Sequence, residues 1–384
     1  MKRIALLVCA AMIAFASLVT FAAAAPSVDD FYKLCSDGTL EQIKTAIQAG
    51  ADVNAKAKSG VAVLARAASR NNTEIVKMLI QAGADVNAKG PGDWTALMAA
   101  AERSKDPDLV AALIQAGAEV NAKADNGWSA LMTAARYSDN PEVLRALIKA
   151  GADVNTKSIN NTTALILAVE HSKNNEIIQM LIQEGADVNA INDLQQTPLT
   201  KAVAKNKAEI LKMLIQAGAD VNAQNEGSWT PLMWAAERSK DPDLVAALIQ
   251  AGAKVNAKDR EDWTALALAA RYNKNPAVLN ALIRGGADVN AKTNSDATPL
   301  IFAAAENNPE VLTLLIEAGA DVNAKMNKGR TSLNLSVETR ESEIVSLLLK
   351  AGAMVSENDL ELAKKNGYLK GTAIIGEMKQ KLKK

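Results

Sequence analysis

Histidine is nearly absent: the 384 residues contain one, His171. A single imidazole assembles neither a multi-histidine metal site nor a histidine-based catalytic triad. It follows Glu170 in a polar stretch and is expected in a surface turn. Cysteine is almost as scarce, with only Cys9 and Cys35. Cys9 falls in the apolar N-terminal run and follows Val8, not the small residue that a lipidation signal requires. Without that run only Cys35 remains, so no intramolecular disulfide can form. Phe31 and Leu34 accompany Cys35 in an apolar helical stretch, and the thiol is expected to be buried and inert. Aromatic residues make up 3% of the chain while hydrophobic residues make up 49%. The apolar weight is therefore Ala, Leu, Ile and Val, which suits thin layers of short helices better than one thick core. Net charge is also lacking, with 43 basic residues against 43 acidic ones. No basic stripe is available to nucleic acid, because acids match the lysines along the whole length. CxxC, HExxH, GxSxG and P-loop spacings are missing. The chain is read as a non-enzyme with no cofactor and no metal; the residual alternative is a site built wholly of Asp, Glu and Lys.

One long hydrophobic run is present. Lys2 and Arg3 precede an uncharged stretch from Ile4 to Phe21, and Ala22 to Ala25 lead to Pro26. This is the pattern of a secretory signal peptide with an Ala-x-Ala cleavage site, placing the cut after Ala24. The alternative is an uncleaved anchor, since roughly 18–20 apolar residues just span a bilayer. Residues 1–24 are thus read as a cleaved signal and the mature chain as exported, periplasmic or secreted.

The rest of the chain is repetitive. AGADVNAK runs from Ala49 to Lys56 and returns from Ala82 to Lys89, and variants follow at Gly117, Gly151, Gly185, Gly218, Gly252, Gly286, Gly319 and Gly352, each 33 or 34 residues after the last. Residues 93–121 show what one unit contains. Thr95, Ala96 and Leu97 open a short helix. Asp106 and Pro107 open a second, Asp being a good N-cap and Pro being favoured at the first helical position. Leu109, Val110, Leu113 and Ile114 give that helix one apolar face. Gly117 closes it, because a left-handed residue there costs glycine little. Lys123, Asp125, Asn126 and Gly127 make the turn to the next pair. Helices this short cannot cover their own apolar faces, so neighbouring units must stack. The Asp-x-Asn of each unit, as at Asp52 to Asn54, is read as a turn in which both side chains bond their own backbone. Calcium ligation would need more oxygen ligands, a central Gly and a closing Glu.

This pattern resembles the ankyrin family over roughly residues 27–384. The family's Thr-Pro-Leu-His opening appears as Thr197-Pro198-Leu199, Thr230-Pro231-Leu232 and Thr298-Pro299-Leu300, and in softened form as Thr95-Ala96-Leu97 and Ser129-Ala130-Leu131. Met98, Met132, Thr200, Met233 and Ile301 stand where the family has His, which removes an expected hydrogen bond between neighbours. The resemblance implies an all-α solenoid of stacked helix-turn-helix units with hairpin-like loops. The expected organisation is one domain: an N-terminal cap repeat at 27–55, nine further repeats at 59–356 and a C-terminal cap at 357–384. The four lysines of the tail, Lys379 to Lys384, are read as a solvated helix end.

A longer period overlies the first. Residues 101–118 and 236–253 are identical, 135 positions apart. Trp94, Trp128, Arg103, Arg136 and Tyr137 recur as Trp229, Trp263, Arg238, Arg271 and Tyr272. Duplication of a four-repeat block accounts for this, and it implies one surface patch displayed twice. The resemblance also implies that partners meet the hairpin tips and the concave face. All five tryptophans fall on two variable positions there. Trp94, Trp128, Trp229 and Trp263 precede the Thr or Ser of the opening motif, and Trp234, like Phe302, lies two residues after its Leu. Trp, Tyr and Arg are enriched at binding hot spots. These twelve residues are the candidate partner-binding set, set against a purely structural use in which each Trp shields the next hairpin. The expected partner is a protein of unknown identity, and a monomer is expected. An exported scaffold or inhibitor is the leading reading; a host-directed effector and an envelope solenoid held by an uncleaved first segment are the alternatives.

Overall fold

The computed structural model describes residues 24–103, 106–306, 308–339, 341–365, 369 and 372–382. The export signal, except Ala24, and Cys9 lie outside them. The described residues hold twenty-two α-helices, of which none is long and apolar enough to cross a membrane. No strand forms among them beyond an isolated antiparallel bridge between Lys56 and Ala62.

The helices come in pairs. In the unit read above, the first helix spans Ala96–Arg103 and the second Pro107–Gln115. The Thr95 hydroxyl accepts the Met98 N–H at 3.3 Å, and Asp106 Oδ1 accepts the Asp108 N–H at 3.0 Å. Gly117 adopts φ +92°. Each local expectation for capping and termination holds in this unit.

The chain groups into two compact units, one ending at Ala186 and the other beginning at Asp187. In the first, the helices Val63–Ser69, Ala96–Arg103, Ala130–Tyr137 and Ala164–His171 pack side by side in one row. In the second, Pro231–Arg238, Ala265–Tyr272, Pro299–Ala305 and Ser332–Thr339 do the same. Alanine permits the close approach: Ala100, Ala101, Ala134, Ala135, Ala235, Ala236, Ala269 and Ala270 are all buried in these rows. Within each unit the second helices form their own row and bury Leu and Val such as Leu109, Val110 and Leu113 in the first and Leu244, Val245 and Leu248 in the second. Met98, Met132, Met233 and Ile301 are buried at the family's His position, while the Thr200 hydroxyl accepts the Thr197 N–H at 2.8 Å.

The Asp-x-Asn motif corrects one expectation. Asp52 Oδ1 does bond locally, accepting the Asn54 N–H at 2.8 Å. The Asn side chain instead reaches the next repeat: Asn54 Nδ2 donates to the Gly83 carbonyl and its Oδ1 accepts the Asp85 N–H at 2.7 Å. Asn121 repeats this on Gly151 and Asp153, and Asn256 on Gly286 and Asp288. The helix-terminating Gly leaves an orphan carbonyl, and the amide of the preceding unit satisfies it.

The ends differ from the middle. Val28–Asp37 and Leu40–Gln48 form the first pair, and Thr39 with Gln42 makes a capping box. Cys35 is fully buried in this pair, and burial pushes its thiol pKa up to about 12, which disfavours the reactive thiolate. Glu357–Lys365 and Ala373–Leu382 form the last pair. Asp359, buried, accepts the Ser356 N–H and hydroxyl at 2.8 and 2.6 Å and is also hydrogen-bonded to Asn334 of the repeat before.

Candidate functional site

Four of the five tryptophans sit at the closing position of a hairpin, and Trp234 lies in the helix Pro231–Arg238. Each hairpin closes with an N–H···O bond to the carbonyl of the residue before the Thr or Ser. Gly90 donates to Trp94 at 2.9 Å, Ala124 to Trp128 at 2.9 Å, Asn225 to Trp229 at 3.2 Å and Asp259 to Trp263 at 3.0 Å. The preceding residue takes positive φ in each: Asp93, Gly127, Ser228 and Asp262. Three tryptophan N–H groups are held as well, Trp128 by Asn126 Oδ1 at 3.0 Å, Trp229 by Asn225 Oδ1 at 2.9 Å and Trp263 by Asp259 Oδ1 at 2.8 Å. Adjacent hairpins are tied by backbone bonds, from Asp125 N to Gly92 O at 2.9 Å and from Arg260 N to Gly227 O at 3.4 Å. All five tryptophans are half-buried.

In the first block, Trp128, Arg136 and Tyr137 come together. The Arg136 guanidinium lies 5.6 Å from the Trp128 ring centroid and 5.1 Å from that of Tyr137, and the two rings stand 6.3 Å apart. Tyr137 is 48% exposed. Trp94 and Arg103 are not drawn into that group: among the described residues no ring or guanidinium stacks on Trp94, and Arg103 lies beside Glu102. Of the five residues, three form a cluster.

The second block brings together more. Arg271 lies 5.4 Å from the Trp263 ring, 5.0 Å from Tyr272 and 5.5 Å from Phe302. Trp263 and Phe302 stack at 4.4 Å. One repeat earlier, Trp229 and Trp234 meet at 4.8 Å, and Arg238 lies over Trp234 at 4.9 Å while its Nε donates to Glu237 at 2.7 Å. Between the two tips runs a groove of about 450 Å³ whose walls include Trp229 and Trp263, with Leu268, Arg271, Tyr272 and the charged side chains Glu237, Asp259, Arg260 and Glu261.

Three placements differ from the sequence expectation. The position two after Leu is not a free surface position: Ala99, Thr133, Leu167, Lys201, Leu268 and Phe302 are buried there. The first helices pack so closely that this side chain faces its neighbour in six of the nine repeats; Arg66, Trp234 and Leu335 are half-exposed there. Phe302, 9% exposed, therefore backs Trp263 and Arg271 instead of presenting itself. His171 ends the helix Ala164–His171, with Nε2 3.8 Å from Glu170 Oε2, so it lies in a last helical turn and not in a loop. Sequence reasoning passed over Glu306, which stands 3.8 Å from Arg271 Nε, and the tip charges at 259–261. An acid one repeat beyond a key Arg was the available signal.

The fold and the half-exposed aromatic surface together define a class: stacked helix-turn-helix repeats that carry a variable face on a uniform frame. The family model for ankyrin repeats (three copies) matches at residues 31–124, 97–192, 131–225, 165–259, 199–293 and 266–359. The chain belongs to the ankyrin-repeat family, whose repeats are generally protein–protein interaction modules and whose members are typically non-enzymatic. No curated protein matches the chain.

Proposed function

We propose that the chain is an exported protein-binding module, a scaffold or inhibitor that engages one protein partner through its tryptophan-bearing hairpin tips and first-helix row. The observation that carries this is the half-buried tryptophan set on pinned backbones. A core use would bury the rings completely; a solvated loop would leave their backbones mobile. Rings held in place and half open lose little conformational entropy on binding, which favours affinity. Guanidiniums stacked on them add the residue type most enriched at hot spots beside Trp and Tyr. The export reading rests on the N-terminal pattern of Lys2, Arg3, the apolar run and the Ala-rich end. The chain has no assigned catalytic role in this reading.

The test replaces Trp229, Trp234 and Trp263 by Ala together and uses the chain from residue 25 as bait in its native source. Partner capture is lost while the helical circular dichroism stays. Helicity lost along with capture overturns the binding role in favour of a structural one. Sequencing the N-terminus of the native protein and fractionating the culture checks the export half: a start at Ala25 in the periplasm or medium is expected, and a retained Met1 or a cytoplasmic protein rejects it.

A further inference from the structure

We infer that the groove between Trp229 and Trp263 is built to take a carboxylate side chain from the protein partner, with Arg271 as its anchor. This rests on the binding reading above and names the chemistry of that surface.

Arg271 is unusual in how it is held. Trp263, Tyr272 and Phe302 all lie within 5.5 Å of its guanidinium, so three rings restrict its movement. Its Nε is buried and meets no hydrogen-bond acceptor among the described residues. Glu306 Oε1 stands 3.8 Å from that Nε, close enough for charge attraction and too far for a hydrogen bond. Yet 37% of the side chain is exposed. With Nε covered, the exposed part is the rest of the side chain, and it borders the groove. A guanidinium held among rings and partly open to the groove matches a carboxylate in geometry and charge, and its restricted movement reduces the ordering cost of each bond.

Three acids, Glu237, Asp259 and Glu261, share the groove lining with Arg260 and Arg271, and two of them have partners of their own. Asp259 Oδ1 is engaged by the N–H groups of Glu261 and Trp263, at 2.9 and 2.8 Å. Glu237 is paired with Arg238 at 2.7 Å. Glu261 and Arg260 are both exposed at the tip. Glu306 is the internal competitor. It is 49% exposed, so it is free to yield to a carboxylate that binds more closely. The aromatic walls fit apolar residues on either side of the acid. The inferred ligand is thus an extended segment with a central Asp or Glu between apolar neighbours.

A random dodecapeptide library, panned on the full mature chain, tests this. Enriched peptides should centre on Asp or Glu. Their binding should fall about tenfold or more when that acid becomes Asn or Gln, and by a similar factor on R271Q, the range expected of a charge-assisted hydrogen bond. E306Q supplies the opposite sign: with the competing carboxylate neutralised, the same peptides should bind several-fold more tightly, an outcome that loss of structure would not give. Peptides centred on Lys or Arg, acid-centred peptides indifferent to both Arg271 and Glu306, or no enrichment at all overturn the inference. Peptides that depend on Trp229 and Trp263 but not on Arg271 overturn it while leaving the binding surface standing. Peptides that need none of these residues remove both.

Discussion

The two halves of the duplicated block keep one geometry and change what surrounds it. Trp128, Arg136 and Tyr137 form a group with Arg–ring distances of 5.6 and 5.1 Å. Trp263, Arg271 and Tyr272 repeat it at 5.4 and 5.0 Å. The Trp–Tyr separations, 6.3 and 6.2 Å, agree as closely. Around that constant element the second copy has Trp234 for Ala99, Phe302 for Leu167, Leu268 for Thr133, Arg260 for Asp125 and Glu306 for His171. The frame fixes where a side chain stands; single replacements on it decide whether the place is a bare patch or an aromatic-walled groove. Fold and site thus answer to different residues in the same repeat.

Removing the rings from each copy in turn is the strongest way to break the comparison. W229A, W234A and W263A together should weaken partner binding by about a hundredfold or more, since hot-spot truncations cost ~2 kcal/mol and upward each. W94A with W128A should cost about tenfold at most, because Trp94 has no ring partner among the described residues and the first copy lacks the second wall. Titration of the purified partner by calorimetry checks both. Equal losses would mean that the copies act alike despite their lining.

The hairpin tips differ in a way that stability can read. Gly127 has φ +77°, and a Cβ there would meet the Ile159 nitrogen at 2.8 Å. Asp262, at the matching position, carries a Cβ at φ +60°. G127A should therefore destabilise the first unit by about 2 kcal/mol, from the strained φ and the forced shift of the next hairpin. D262A loses an exposed contact with Lys258 and the tolerance of Asp for a left-handed backbone, and should cost about 1 kcal/mol, still less than G127A because no neighbour has to move. Amide hydrogen exchange, read unit by unit, separates the two, because a repeat array need not unfold as one.

The asparagine bridges supply the case in which the copies should agree. Asn121 and Asn256 make the same pair of bonds, 2.9 and 2.8 Å in one and 3.0 and 2.8 Å in the other. N121A and N256A should each cost about 1–2 kcal/mol, because each strips a carbonyl and an N–H of their partner at once. A clear difference between them in denaturant midpoint would show that the frame itself had diverged.

Most of the fold was legible in the sequence because its determinants are local. Thr or Ser before the first helix, Asp or Asn with Pro before the second, and Gly after it mark boundaries by their own backbone chemistry. What was not legible depends on the neighbouring repeat. The amide of Asn54 looks like half of a local turn until Gly83 is known to lie beside it. The position of Ala99 and Leu268 varies along the chain and so suggests a surface, but close packing of the first helices buries it in six of the nine repeats. The tryptophans were found because their position stands out in a chain poor in aromatics. The gathering of Trp234 onto Trp229, and of Phe302 behind Trp263, needed coordinates, since the pattern fixes register and not side-chain direction.

The smallest expected difference concerns the two arginines as structural elements. Arg136 touches two rings and Arg271 three. A cation over a ring at a partly exposed site contributes about 0.5–1 kcal/mol, and the contacts of one guanidinium do not add fully. R136Q and R271Q should each lower stability by no more than ~1 kcal/mol, with R271Q the larger by a few tenths. Replacing both checks independence: the copies share no cluster, so the double variant should show the sum of the two losses in thermal unfolding. If R271Q instead costs several kcal/mol, its three-ring cage is a structural joint of the second unit, and the difference between the copies would lie in folding before it lay in recognition.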